Sequence, residues 1–153
     1  MDLLLWRHAE AEDGIPDLER ALTPRGHKQA RRIAEWLKPR LPTQCSVLAS
    51  PALRTRQTAA ALEPGALGID ARLAPGAHVA TIIELIARHE RDHDRRGALL
   101  LVGHQPWVGE VAGTLLTGRA EPLGVRKAAL WWFKHHGAGQ WSLVAVVDPD
   151  LVA

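Results

Sequence analysis

The chain has 153 residues, 46% of them hydrophobic and 24% charged, with a formal charge of +2. That length and balance fit one globular domain with a full core and exclude a disordered chain. The mild excess of base comes without a dense Lys/Arg block, so nucleic acid is not expected as a partner, whereas a small anion held by a few arginines is.

A single cysteine, Cys45, excludes an internal disulfide and fits a reducing compartment. No apolar run reaches the roughly 18–20 residues of a membrane span. Asp2 and the lack of a basic stretch before the first apolar run argue against a secretory leader. The expectation is a cytoplasmic protein with no membrane partner.

Residues 3–6 are apolar throughout, too short for a helix and without polar alternation, which predicts a strand buried on both faces. Residues 9–21 read as a polar loop containing Gly14 and Pro16. Thr23-Pro24 opens a helix, with Thr as N-cap and Pro at the first helical position. Ala30, Ile33, Ala34 and Leu37 recur there at helical spacing, and Pro39 and Pro42 end it. Residues 47–49 form a second short strand. Ser50-Pro51 repeats the cap-plus-proline signal for a helix running to about residue 62. The Pro/Gly-rich stretch 63–76 leaves room for a short strand around 69–73. A helix over 79–90 carries Ile82, Ile83, Leu85 and Ile86, and 98–102 is a third buried strand. Pro106 starts a helix to about residue 116. Residues 128–133 and 141–147 read as strands, joined by the hairpin loop "KHHGAGQ".

Strands alternating with helices predict an α/β fold, a three-layer αβα sandwich. Its central sheet is mostly parallel, and the C-terminal hairpin adds an antiparallel edge. With no repeat or linker in view, residues 1–153 form one domain.

In such sheets ligands bind beyond the carboxyl ends of the strands. The first strand ends in Arg7 and His8. The second leads into "SPALRTRQTA", with Arg54 in the first turns of a helix. The third leads into "VGHQPW", with His104 before a helix start. Three strand ends thus bring two arginines and two histidines to one edge. Guanidinium forks match phosphate oxygens, and helix N-termini add N–H donors for an anion. Neighbouring cations disfavour imidazolium, so they keep a histidine neutral and able to attack phosphorus. Guanidinium groups can supply the positive charge that phosphoryl transfer needs, so no metal or other cofactor is expected.

"RHAEAE", "LTPRGHKQA", "SPALRTRQTA" and "VGHQPW", in this order, resemble the histidine phosphatase superfamily, also called phosphoglycerate mutase-like or RHG-motif. The hallmark Arg-His-Gly is here Arg7-His8-Ala9, which leaves both chemical groups in place. The short length and "DLERALTPRG" are most similar to the SixA-type phosphohistidine phosphatases. The resemblance implies a phosphoglycerate mutase-like fold and roles for residues. His8 matches the nucleophile that becomes a phosphohistidine. Arg7 and Arg54 match the phosphoryl clamp, and His104 the second histidine that binds the phosphoryl group. Arg20 matches an arginine near the pocket. The implied activity is metal-independent hydrolysis of phosphohistidine in proteins. A general small-molecule phosphomonoesterase is the alternative, and a phosphoglycerate mutase fits the short middle of the chain less well. The partner is a phosphohistidine-bearing protein or a small phosphorylated substrate.

Ester hydrolysis needs an acid for the leaving alcohol. Gln105, directly after His104, cannot serve, which leaves the loop from Glu10 to Glu19, with Glu10 or Glu12 as the possible general acid. Glu10, Glu12, Asp13, Asp17 and Glu19 otherwise read as a solvated acidic loop, from which one residue could reach the site. Arg56, His27, His135 and His136 read as surface residues, and Trp36, Trp131, Trp132 and Trp141 as core or strand-face residues. Trp6 and Trp107 are candidates for the pocket wall. "HERDH", from His89 to His93, matches the H-E-x-x-H zinc helix literally. No third ligand follows, and a helix end that feeds a strand lies at the opposite sheet edge. A charged, solvated helix end is therefore expected there, and zinc peptidase chemistry is not. A non-catalytic phospho-ligand binder is a further rival, against which the retention of both His8 and His104 argues.

Overall fold

The structure is a computed structural model that describes residues 1–93 and 95–152. Asp94, in the stretch after the His89–His93 motif, and Ala153 both fall in the expected 1–153 domain and lie outside the described residues.

Strand β1 (Asp2–Arg7) runs through the centre of the molecule. Leu3, Leu4, Leu5 and Trp6 are each 0% exposed, as a run with no polar alternation requires. Successive side chains leave a strand on opposite faces. Leu4 and Trp6 pack with Ile33 and Leu37 of α1 (Pro24–Leu37) and Ala59 of α2 (Leu53–Ala60). Leu3 and Leu5 pack with Ile82 of α3 (Val79–Asp92) and Val111 of α4 (Trp107–Thr117). One strand thus feeds two cores, and the three-layer sandwich follows. Each buried leucine stabilises it by about 1.5–3 kcal/mol.

The other strands are β2 (Cys45–Ala49), β3 (Leu67–Ile69), β4 (Ala98–Gly103), β5 (Leu130–His135) and β6 (Trp141–Val147). Their order across the sheet is β3-β2-β4-β1-β5-β6. Pairings among β1 to β4 are parallel, and β5 and β6 join antiparallel. The predicted mixed sheet is therefore the observed one.

Thr23 caps α1 as its sequence indicates, its Oγ1 accepting from the Gly26 N–H at 2.9 Å. Gly26 is required there because a Cβ would run into the Glu10 carbonyl. That close approach seats the loop after β1 on the first turn of α1.

The second cap-plus-proline signal reads differently in three dimensions. Helix α2 begins at Leu53, after an Ala52 N-cap with no side-chain bond, and Ser50 stands in the preceding loop. Its hydroxyl accepts from the Ala52 N–H at 3.1 Å. Likewise α4 begins at Trp107, with Pro106 outside it as the N-cap. Strand β3 falls earlier than expected, because the Asp70 carboxylate accepts from the Arg72 N–H at 2.9 Å and turns the chain into a short 3-10 helix. His135 is not a free surface residue: it pairs with Glu90 near the end of α3 and stacks on Trp141 at 4.5 Å.

Candidate active site

The parallel register of β1 on β4 pairs Arg7 with Gly103, so the next residues, His8 and His104, leave the sheet side by side. The His8 N–H donates to the Gly103 carbonyl at 2.9 Å. The two rings stand 5.3 Å apart between centroids, tilted by 56°. Gly103 has no room for a side chain, since a Cβ there would enter the Trp107 indole. Trp107 and Trp6 are both 0% exposed and bond inward, to the carbonyls of Leu73 and Ala128. They support the strand ends from behind and do not wall the pocket.

His8 is 8% exposed, and its Nδ1 lies 2.7 Å from the Ala9 carbonyl. A carbonyl only accepts, so Nδ1 carries the proton and the neutral ring keeps its lone pair on Nε2. The ring is held neutral: burial lowers its pKa from 6.5 to about 4, and the charges of Arg54, Arg7 and Arg20 push the same way against the Ala9 carbonyl. His104, 3% exposed, is brought to about 3 by burial, then by the His8 and Arg54 charges. Its Nε2 lies 2.7 Å from Ser50 Oγ.

The arginines are anchored from one side. Arg7 donates from Nη1 to the Val125 carbonyl at 2.7 Å. Arg54, on the first turn of α2, is 3% exposed and reaches back to the loop after β1. It donates from Nη1 to the Asp17 carbonyl at 2.8 Å and from Nη2 to the Asp17 carboxylate at 3.1 Å. Arg20 donates from Nε to the other Asp17 oxygen at 3.1 Å. Asp17, one of five acidic residues in a loop from which sequence reasoning let one reach the site without saying which, therefore ties both arginines to it. Nothing in its local sequence distinguishes it from Asp13 or Glu19.

Arg7, His8, Arg54 and His104, the four residues that the strand ends led us to expect together, border one pocket of about 270 Å³, and Arg20, implied only by the resemblance, borders it as well. A larger hollow, of about 570 Å³, lies between Lys38 and Gly68 and touches none of them. Among the described residues, the buried side-chain polar atoms without a partner are Arg7 Nε, Arg54 Nε and His104 Nδ1. All three belong to residues around the His8 ring. Buried polar atoms without partners are costly and rare, and these three gather on residues that border the pocket.

The acid candidates fall elsewhere. Glu10 accepts from Thr23 Oγ1 at 2.9 Å and stands near Arg25, at the start of α1. Glu12 is exposed, and its backbone carbonyl accepts from Arg20. Neither residue borders the pocket, whereas Asp13 does. Gln105 has both ends of its amide engaged, donating to the Leu123 carbonyl and accepting from the Gly109 N–H, each at 2.8 Å.

His89 and His93 lie at the opposite sheet edge, beside Cys45, Gly97 and Ala98 where β2 and β4 begin. Their rings stack at 3.9 Å. His93 follows the last turn of α3 in extended backbone, so the pair does not have the one-face helical placement of a zinc helix.

Comparison with known proteins gives an independent measure of this arrangement. Residues 3–78 match the model of the histidine phosphatase superfamily (branch 1). An uncharacterised protein of Mycobacterium tuberculosis is 40% identical over 155 residues, spanning 96% of this chain and 94% of its own. The phosphohistidine phosphatase SixA of Escherichia coli is 27% identical over 129 residues, covering 80% of this chain and 79% of its own. A protein histidine phosphatase SixA, solved with tungstate, superposes with a TM-score of 0.85 at 25% identity and covers 99% of both chains. The matched model spans the strand end with Arg7 and His8 and the helix with Arg54, and the structural likeness extends through β4 to the C-terminal hairpin. The chain belongs to the histidine phosphatase superfamily.

Proposed function

We propose that this phosphatase removes the phosphoryl group from phosphohistidine, through a phosphohistidine intermediate on its own His8. The observation that carries the reading is the set of three buried nitrogens without partners, Arg7 Nε, Arg54 Nε and His104 Nδ1, around a neutral imidazole whose Nε2 keeps its lone pair. In the first step Nε2 of His8 bonds to phosphorus and the P–N bond of the substrate breaks. The leaving imidazole takes up a proton from solvent, which regains one from the attacking water in the second step. In the second step water attacks phosphorus, the P–Nε2 bond breaks, and inorganic phosphate leaves with His8 restored. The guanidinium groups and His104 stabilise charge on the equatorial oxygens in both steps.

The choice of substrate rests on the leaving group. Imidazole leaves far more readily than an alkoxide, so cleavage of a P–N bond tolerates a pocket without a strong acid. Gln105 cannot donate as an acid, and neither Glu10 nor Glu12 borders the pocket. The likeness to proteins named phosphohistidine phosphatase points the same way. Asp13 at the pocket edge favours a second reading, a small-molecule phosphomonoesterase in which its carboxyl protonates the leaving alcohol.

A hydrolysis panel separates the two. A phosphohistidine peptide should exceed sugar phosphates in kcat/KM, and Asp13→Asn should leave that rate within threefold. Faster hydrolysis of sugar phosphates, abolished by Asp13→Asn, would establish the second reading instead.

A further inference from the structure

Ser50 reads from sequence as a helix cap, yet its hydroxyl is committed elsewhere. The residue is 0% exposed and held at both backbone ends: its N–H donates to the Val102 carbonyl at 3.2 Å, and its carbonyl accepts from Thr55 Oγ1 at 2.9 Å. The hydroxyl oxygen accepts from the Ala52 N–H at 3.1 Å and stands 2.7 Å from His104 Nε2. Val102 belongs to β4, two residues before His104, so Ser50 and His104 are both fastened to one strand end.

The direction of the Ser50–His104 bond follows from counting hydrogens. A hydroxyl has one to donate. If Ser50 donates to Nε2, the hydroxyl gives one bond and receives one, and the neutral His104 ring carries its proton on Nδ1. If Nε2 donates instead, a buried hydroxyl proton has no acceptor and Nδ1 presents a bare lone pair. The first arrangement leaves one orphan, the Nδ1–H, beside the phosphoryl pocket; the second leaves two and turns a lone pair toward an anion. Unpaired buried polar groups are costly, so the first arrangement wins. His104 stays neutral at working pH, because burial and the nearby His8 and Arg54 charges suppress its imidazolium, so the choice of tautomer is a real one.

We propose that Ser50 is a positioning residue that locks His104 in its Nδ1–H tautomer and so makes it a hydrogen-bond donor to the transferring phosphoryl group. The inference rests on the phosphatase reading above for what the donor serves, but not for the tautomer itself. The β2–α2 loop then supplies the site twice, once through Arg54 and once, at second hand, through Ser50.

The test is nitrogen NMR of histidine-labelled protein, with inorganic tungstate as the phosphoryl mimic. In the unsubstituted protein His104 should be protonated on Nδ1, with an acceptor-type Nε2, and its Nδ1–H resonance should move when tungstate binds. Protonation on Nε2, or no response to bound tungstate, overturns the proposal. Ser50→Ala should shift His104 toward the Nε2–H tautomer and lower kcat/KM by about 10–100-fold. A purely structural role at the Ala52 N–H would lower stability without moving the tautomer. Ser50→Cys, a near-isosteric replacement with a weak donor, should fall between the two. Ser50→Ala with wild-type tautomer and activity within twofold also overturns it. If the Nδ1–H responds to tungstate but no phosphorylated substrate is hydrolysed, the phosphatase reading fails and the Ser50 assignment stands.

Discussion

His8 and His104 face each other at 5.3 Å between ring centroids, and the charge of one disfavours the charge of the other. Both titrate below the ordinary 6.5, His8 at about 4 and His104 at about 3. Nucleophilic attack needs the unprotonated Nε2 of His8, which therefore persists well below neutrality. On an aryl phosphate, kcat/KM corrected for substrate ionisation should stay flat from pH 7 to about 5 and fall near pH 4. A fall centred near 6.5 would contradict the buried, arginine-flanked setting of His8. Stability carries the same sign. Below pH 6.5 the unfolded chain takes up protons that the folded histidines refuse. The contribution is thus complete above 6.5 and is lost as pH falls toward 4, as urea unfolding at stepped pH should register.

His8→Ala should abolish turnover and phosphoenzyme together, because the residue supplies the atom that bonds phosphorus. The wild-type label should be acid-labile and alkali-stable, as a P–N bond is. Arg54→Ala should retain weak activity, with a loss of about 10²–10³-fold, the scale for one preorganised donor. Undiminished single-turnover kinetics in the His8 variant would sink the mechanism.

Asp17 holds Arg54 through both its carbonyl and its carboxylate. Asp17→Ala removes the second of these and the Asp17 bond to Arg20, which keeps its bond to the Glu12 carbonyl. The carboxylate is 56% exposed, so solvent screens much of the pair. A loss in kcat/KM of about 3–10-fold is expected, with thermal unfolding almost unmoved. An effect equal to that of Arg54→Ala would mean that Asp17 acts on the substrate directly.

The mechanism routes no step through a metal, and His89 and His93 lie at the far edge of the sheet. Phosphatase activity should survive EDTA and the double change His89→Ala, His93→Ala. Activity lost to EDTA and restored by zinc alone would overturn the assignment.

Much of this molecule is written in short-range signals. The apolar run ending at Trp6 reads as a buried strand because no amphipathic alternative exists for it. Thr23-Pro24 reads as a helix start because cap and proline act within one turn. The carboxyl-end rule for parallel sheets then brings Arg7, His8, Arg54 and His104 together before any coordinate is known. Short-range signals fail where one local pattern serves two structures. Ser50-Pro51 has the letters of a cap, but its hydroxyl turns to a histidine 54 residues away. Asp17 has the letters of a solvated loop, but it grips an arginine 37 residues away. Trp6 and Trp107 adjoin the site in sequence yet point into the two cores, because side chains alternate across a strand and the small Gly103 admits an indole behind it. Residue types and strand ends thus decided which groups reach the pocket. Only the register of β1 and β2 on β4 decided which of their atoms remain free to act, because hydrogen-bond partners across the sheet depend on alignments that no local stretch encodes.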